Sequence, residues 1–196
     1  MKYHKIPSEL FSKNRKNFIS KMDKKSVAFF NSNDIYPVSA DSTLPFEQHR
    51  DIFYLSGVDQ EESVLMLCPN APDLNHREVL FLKETDEHIE VWEGPKLNKQ
   101  QAFETSGIKT VYWLNEMEKI IDKAVNGCET IYYNHNEHYR AKIETETREE
   151  RFNKWLENKF PDKCKKRSNP ILQHFRSIKD PIELDLIKKA LSLIHI

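Results

Sequence analysis

Glycine is scarce in this chain. Gly57, Gly94, Gly107 and Gly127 are the only four among 196 residues, and they stand too far apart to build a loop that cradles phosphate, which excludes both the dinucleotide fingerprint and the P-loop. No G-x-S-x-G elbow occurs, so the Ser56-Gly57 pair marks a turn rather than a nucleophile. The three cysteines, Cys68, Cys128 and Cys164, are odd in number and lack a C-x-x-C spacing, which argues against a disulfide framework and a thiolate zinc site. Buried, reduced thiols are the expectation for all three. Long apolar runs are also missing: nothing like a signal-peptide core follows Met1 to Lys5, and no segment approaches a membrane span. The expected compartment is the cytoplasm. Neither charge dominates, with 30 Lys plus Arg against 31 Asp plus Glu, so no broad field invites nucleic acid or an anionic membrane. The one basic stretch, Lys163 to Arg167, has no interleaved aromatics and reads as a solvated loop.

What the chain does have is bulky core material. Hydrophobic residues make up 38%, with 11 Phe, 7 Tyr and 3 Trp, enough to bury a core despite the many charges. Phe11, Phe18, Ile19 and Met22 recur at helical spacing and predict a helix from Ser8, its cap, to about Met22, with Lys13, Arg15, Lys16 and Lys21 facing water. Ser26 to Phe30 reads as a buried strand, followed by a loop to about Arg50 that Pro37 and Pro45 keep extended. Ile52 to Leu55, Ser63 to Cys68 and Glu78 to Leu82 read as central strands, the last two antiparallel; His88 to Trp92 alternates as a half-buried strand should. Asn98 caps a helix to Ser106 that Gly107 ends, and Thr110 to Trp113, a helix over Met117 to Val125, and Thr130 to Tyr133 follow as a β-α-β pattern. A mainly solvated helix is expected over Ala141 to Phe160, with Phe152, Trp155, Leu156 and Phe160 as its later apolar face, then a short apolar element from Pro170 to Ile178, then a last helix opened by Asp180-Pro181.

His135 and His138 are the only closely spaced histidines, and a spacing of three can turn two imidazoles toward one metal. They stand in the polar stretch Asn134 to His138, where ordinary exposed side chains are the plainer reading; His49, His76 and His88 are isolated and read as surface residues.

The polar segment Ser39-Ala40-Asp41, the run Phe53-Tyr54-Leu55-Ser56-Gly57, the strand Ser63 to Leu67 and the sequence Val91-Trp92-Glu93-Gly94 follow one another in an order and spacing that resemble the N-terminal domain of the aminopeptidase P family, the Xaa-Pro aminopeptidases of the creatinase and prolidase superfamily. The resemblance covers nearly the whole chain. It implies an α/β fold, a mixed and roughly six-stranded sheet flanked by helices in a ribonuclease-H-like layout. It implies a domain over residues 1–179, with residues 180–196 beginning a linker helix into a pita-bread catalytic domain. The last six residues, Leu191 to Ile196, read as a translated sequencing adapter on a truncated product.

In the family, two divalent metals, usually manganese, are held by two Asp, one His and two Glu of the catalytic domain, none of which is located in this chain. The implied parent activity is release of an N-terminal residue that precedes proline, with peptides of that form as partners, and the fragment by itself is expected to be inactive and metal-free. The implied role of the N-terminal domain is contact across a homo-oligomer interface at the substrate site. By motif, Trp92 and Asp41 match residues of that contact, and Arg167 aligns more loosely. An indole can cover the proline side of the pocket, while a carboxylate can hold the peptide's ammonium. Against these stand the plain readings of Trp92 as a packing aromatic and Asp41 as a turn residue. Two other functions fit the same sequence: a prolidase domain, acting on dipeptides, and a noncatalytic peptidase-like binding module.

Overall fold

The computed structural model describes residues 5–85, 94–138, 140 and 145–194. The strand expected over His88 to Trp92, and Trp92 itself, lie outside the described residues, as do residues 141–144 of the expected long helix.

Among the described residues, six strands form the main sheet: β1 (Ser26–Asn31), β4 (Val64–Leu67), β5 (Glu78–Leu82), β6 (Thr110–Trp113), β7 (Thr130–Tyr133) and β8 (Cys164–Arg167). A short hairpin of β2 (Pro37–Ser39) and β3 (Ser42–Thr43) stands apart from it. The sheet order is β6-β5-β4-β1-β7-β8. Only β4 runs against its neighbours: it pairs antiparallel with β1 (Phe30 opposite Leu65) and with β5 (Leu65 opposite Leu80), whereas β5 with β6, β1 with β7, and β7 with β8 are parallel. The carboxyl ends of five strands therefore point the same way. The expected β-α-β unit is real in sequence order, yet β6 lies at one edge of the sheet and β7 pairs with β1, so its helix spans the sheet instead of joining neighbours.

The helices are α1 (Ser8–Ile19), α2 (Arg50–Ser56), α3 (Lys99–Ser106), α4 (Met117–Val125), α5 (Arg148–Lys159), α6 (Asn169–Ser177) and α7 (Pro181–Ile194). Because successive side chains of a strand point to opposite faces, the continuous apolar runs of β1, β4 and β5 feed two cores. Val27, Phe29, Met66, Phe81 and Ile131 pack against Ile121 and Val125 of α4 and Leu156 of α5. Ala28, Phe30, Leu65, Leu80 and Leu82 pack against Phe18 of α1, Ile52 and Leu55 of α2, Ala102 of α3 and Leu172 of α6. The result is a helix, sheet, helix sandwich.

Several expectations are corrected. Ile52 to Leu55 is helical, not a strand: His49 caps α2 by accepting the Asp51 N–H, Ile52 and Leu55 fall one turn apart on its buried face, and Gly57 ends it at φ +70°. A Cβ at Gly57 would come within 2.2 Å of the Phe11 ring, so the glycine serves both the turn and the α1–α2 contact. Ser8 is the first residue of α1 and makes no side-chain cap; Pro7 precedes it. The loop before Arg50 contains the β2–β3 hairpin, and Lys163 to Arg167 is not a loop but carries the exposed edge strand β8. Cys164 is therefore exposed, while Cys68 and Cys128 are buried as expected.

Arg15 does not face water. It is 1% exposed, donating from Nε to Glu78 Oε2 at 2.8 Å and from one terminal nitrogen to the carbonyls of Leu55 and Ser106 at 2.8 and 2.9 Å. Those two carbonyls belong to the last turns of α2 and α3, whose acceptors have no partner within their own helices. One guanidinium thus closes two helix ends and ties them to β5. Burial lowers its pKa, and the Glu78 carboxylate opposes that shift.

Candidate functional site at the carboxyl edge of the sheet

The parallel strands β1 and β8 end beside the segments that carry Asp41 and Arg167. In sheets of this kind, ligands sit in the crevice beyond the carboxyl ends of the strands. The chain leaves β1 at Asn31, runs through Asn33 and Asp34, and rises into the hairpin, where Ser39 pairs with Ser42 and Ala40-Asp41 forms the turn. Asp41 is exposed at this tip, beside Ala40, which adopts φ +51°. The hairpin base is strapped by Asn33 donating to the Glu47 carbonyl at 2.8 Å and by Tyr36 Oη lying 3.2 Å from Thr145 Oγ1. Its flanks carry exposed apolar side chains: Ile35, Tyr36, Val38 and Leu44.

Arg167 lies at the carboxyl end of β8, opposite Tyr133 of β7, and is exposed, with a guanidinium nitrogen 3.4 Å from Glu137 Oε2. Asp41 and Arg167 thus both sit on segments at the same edge of the sheet. No contact between them is described.

Beneath the hairpin is a cavity of about 560 Å³, bounded by the segment after β1, the start of α2, the loop after β7 and the start of α5. Two of its lining residues, His49 and Glu149, belong to a buried polar cluster. Asn134, following β7, donates to Asp51 Oδ2 at 3.0 Å and to Glu149 Oε1 at 2.7 Å. His49 Nε2 lies 3.5 Å from Glu149 Oε2, and Arg176 of α6 pairs with the other Asp51 oxygen while its guanidinium covers the Tyr54 ring. His49 Nδ1 accepts the Asp51 N–H, which leaves Nε2 turned toward Glu149. Burial raises the Glu149 pKa, with the His49 charge and the Asn134 hydrogen bond opposing. The charges of this cluster are matched internally, so it fixes the starts of α2 and α5 relative to β7.

Two parts of this cluster overturn sequence readings. His49 is largely buried, not a surface residue, and Glu149, read as part of a solvated charged run, is buried at the start of α5, while Phe152, Trp155 and Leu156 form the apolar face that the sequence shows. The available signal was Thr147 three residues before Glu150, the capping box that starts α5 and sets which of its glutamates turn inward. His135 lines the cavity, with Nε2 3.9 Å from Glu137 Oε1, and among the described residues no three His, Cys, Asp or Glu side chains gather as a metal would require.

The family pattern described as the aminopeptidase P N-terminal domain matches residues 11–132. The chain belongs to the aminopeptidase P N-terminal domain family. It is 25% identical over 186 residues to the Xaa-Pro aminopeptidase of Escherichia coli K12, covering 94% of this chain and 42% of that protein. It is 28% identical over 162 residues to Xaa-Pro aminopeptidase 3 of the rat, covering 81% of this chain and 31% of the relative. The chain thus spans well under half the length of these relatives. Among solved structures, a Bacillus anthracis protein assigned to aminopeptidase P superposes with a TM-score of 0.82 at 23% identity over 94% of this chain and 43% of that one. The E. coli aminopeptidase P superposes with a TM-score of 0.75 at 24% identity over 95% of this chain and 42% of that one. The mixed six-stranded sheet with flanking helices is the fold these neighbours share. Among the described residues, no helix is long and apolar enough to cross a membrane.

Proposed function

We propose that this domain is the noncatalytic, substrate-shaping part of a metal-dependent Xaa-Pro aminopeptidase that works in the cytoplasm on peptides with proline in second position. The observation that carries the reading is the family match together with the hairpin: Asp41 stands at an exposed turn whose flanks present Ile35, Tyr36, Val38 and Leu44. An exposed apolar arm around a polar tip suits contact with a second protein surface. In this reading the arm meets the substrate site of a neighbouring subunit in a homo-oligomer, Asp41 receives the peptide's ammonium, Trp92 covers the proline side and Arg167 contributes charge at the rim. The domain proper is residues 1–179. The helix that follows leads toward the catalytic part, and its start is held to α1 by the Lys13–Asp180 ion pair and capped by Asp180 Oδ1 accepting the Ile182 N–H at 2.9 Å.

The pair of divalent metals, manganese in the family, does not fit the residues described, which gather no ligand set. It belongs with the catalytic part of the parent, and no step of the reaction is assigned to side chains of this chain.

The test compares this chain alone with a protein that joins it to a pita-bread catalytic domain, each assayed with manganese on an Xaa-Pro dipeptide and on a longer Xaa-Pro peptide. We expect turnover by the joined protein only, and better turnover on the longer peptide. Asp41→Ala in the joined protein should lower kcat/KM by about tenfold, the loss of a charge-assisted hydrogen bond of roughly 1.5 kcal/mol. Manganese-dependent cleavage by the 196-residue chain itself would reject the proposal.

A further inference from the structure

Away from the carboxyl edge, two thiols meet in the core. β4 ends at Leu67 and delivers Cys68 to the face that packs on α4, while the turn after α4 returns Cys128 to the same place. Their sulfurs lie 3.5 Å apart, and both point at the Ala124 carbonyl, with Sγ to oxygen distances of 3.8 Å for Cys68 and 3.4 Å for Cys128. Two small apolar side chains would fill the space as well. Packing by itself does not call for sulfur against sulfur, nor for the cation beside it: Lys163 Nζ donates to the Cys128 carbonyl at 2.6 Å. The Cys68 hydrogen bond holds the Cys128 thiol below its usual range, helped by Lys163, and the same bond together with burial pushes Cys68 up. Cys128 is thereby the readier nucleophile and Cys68 the proton holder.

Access is asymmetric too. Cys68 is fully enclosed, but Cys128 sits between the exposed residues Gly127 and Glu129, at a turn where nothing lies within 4 Å of the position a Gly127 Cβ would take. A small oxidant arriving at that turn meets Cys128 first.

We propose that Cys68 and Cys128 are an oxidisable dithiol that closes to an intramolecular disulfide on exposure to a peroxide. The Cys128 thiolate attacks one peroxide oxygen, breaking the O–O bond; the sulfur becomes a sulfenic acid, and the departing hydroxide takes a proton to form water. Cys68 gives up its proton, its sulfur attacks the Cys128 sulfur, and the sulfenic oxygen leaves as a second water. Two thiols are oxidised and one peroxide is reduced. The exposed Cys164 on β8 is outside this reaction.

The experiment treats the unmutated 196-residue chain with hydrogen peroxide, blocks remaining thiols under denaturing conditions and maps peptides without reduction. The expected product is a Cys68–Cys128 linked peptide within one chain, a mass lower by two hydrogens at those sites, and reversal by a dithiol reductant. A Cys164→Ser chain should give the same linkage at an unchanged rate, with its chemical-denaturation midpoint raised by peroxide and restored by reductant. Retention of both free thiols, arrest of Cys128 as a sulfinic acid, or linkages that form only through Cys164 or between chains would each overturn the proposal.

Discussion

The face of the sheet covered by α1, α2 and α3 and the arm that rises from its carboxyl edge spend their polar residues in opposite ways. On the covered face, Arg15 is enclosed and its described bonds are internal, to Glu78, two helix-end carbonyls and the Ser12 hydroxyl. On the arm, the single carboxylate, Asp41, is exposed, and apolar side chains beside it are exposed as well. The buried cluster of His49, Asp51, Asn134 and Glu149 stands between the two, with His49 and Glu149 lining a cavity and Asn134 joining both carboxylates. The contrast separates residues that hold the fold from residues free to serve a partner: the first have matched their charges internally, the second have not.

The largest effect should come from breaking the covered face. Arg15→Ala leaves Glu78 and the Leu55 and Ser106 carbonyls without their shared donor and should destabilise the fold by about 3 kcal/mol in urea unfolding. Arg15→Lys should recover part of that loss by keeping the charge without the fork of donors. A loss below about 0.5 kcal/mol for the alanine variant would show that water replaces the guanidinium and that this face is no more committed than the arm.

The intermediate cluster sharpens the comparison through pH. Burial raises the Glu149 pKa above its unfolded value, so the folded chain binds that proton more tightly than the unfolded chain does. This contribution to stability is full below the ordinary glutamate range and is lost as pH rises through the folded pKa. As pH rises from the ordinary glutamate range toward neutrality, Glu149→Gln should therefore gain on the wild type in unfolding free energy. Parallel stability profiles of the two proteins would assign the buried carboxylate no such role.

The arm should give the smallest change. Val38→Ser removes an exposed apolar side chain from the hairpin and should alter stability by less than about 0.5 kcal/mol. In a protein that carries the catalytic part, the same substitution should weaken self-association measured by sedimentation. A large stability loss in the isolated chain would place the hairpin with the covered face instead.

Local signals were read well where the chemistry is local. Asn98 and Gly107 announce α3, and the structure shows Asn98 in a reciprocal cap with Gln101 and Gly107 in the left-handed conformation. The alternating two-sided apolar runs of β1, β4 and β5 were legible because a buried strand needs apolar residues on both faces. The run Ile52 to Leu55 misled because a short apolar stretch carries no period of its own; only the His49 cap and the packing of Phe11 against Gly57 show a helix. Lys163 to Arg167 misled for the opposite reason, since an edge strand with four exposed side chains has no hydrophobic signature.

The sequence by itself determined the family, the two-sided core and most element boundaries, because these rest on periodicity, caps and motif order within a few residues. Tertiary structure alone decided that Arg15, His49 and Glu149 turn inward, that Asp41 turns outward, and that Cys68 meets Cys128. A charged side chain is buried only when other segments supply its partners, and two thiols meet only where the fold brings their segments together; Arg15 and Glu78 are 63 residues apart and the two thiols 60, and no local pattern encodes a meeting across that distance.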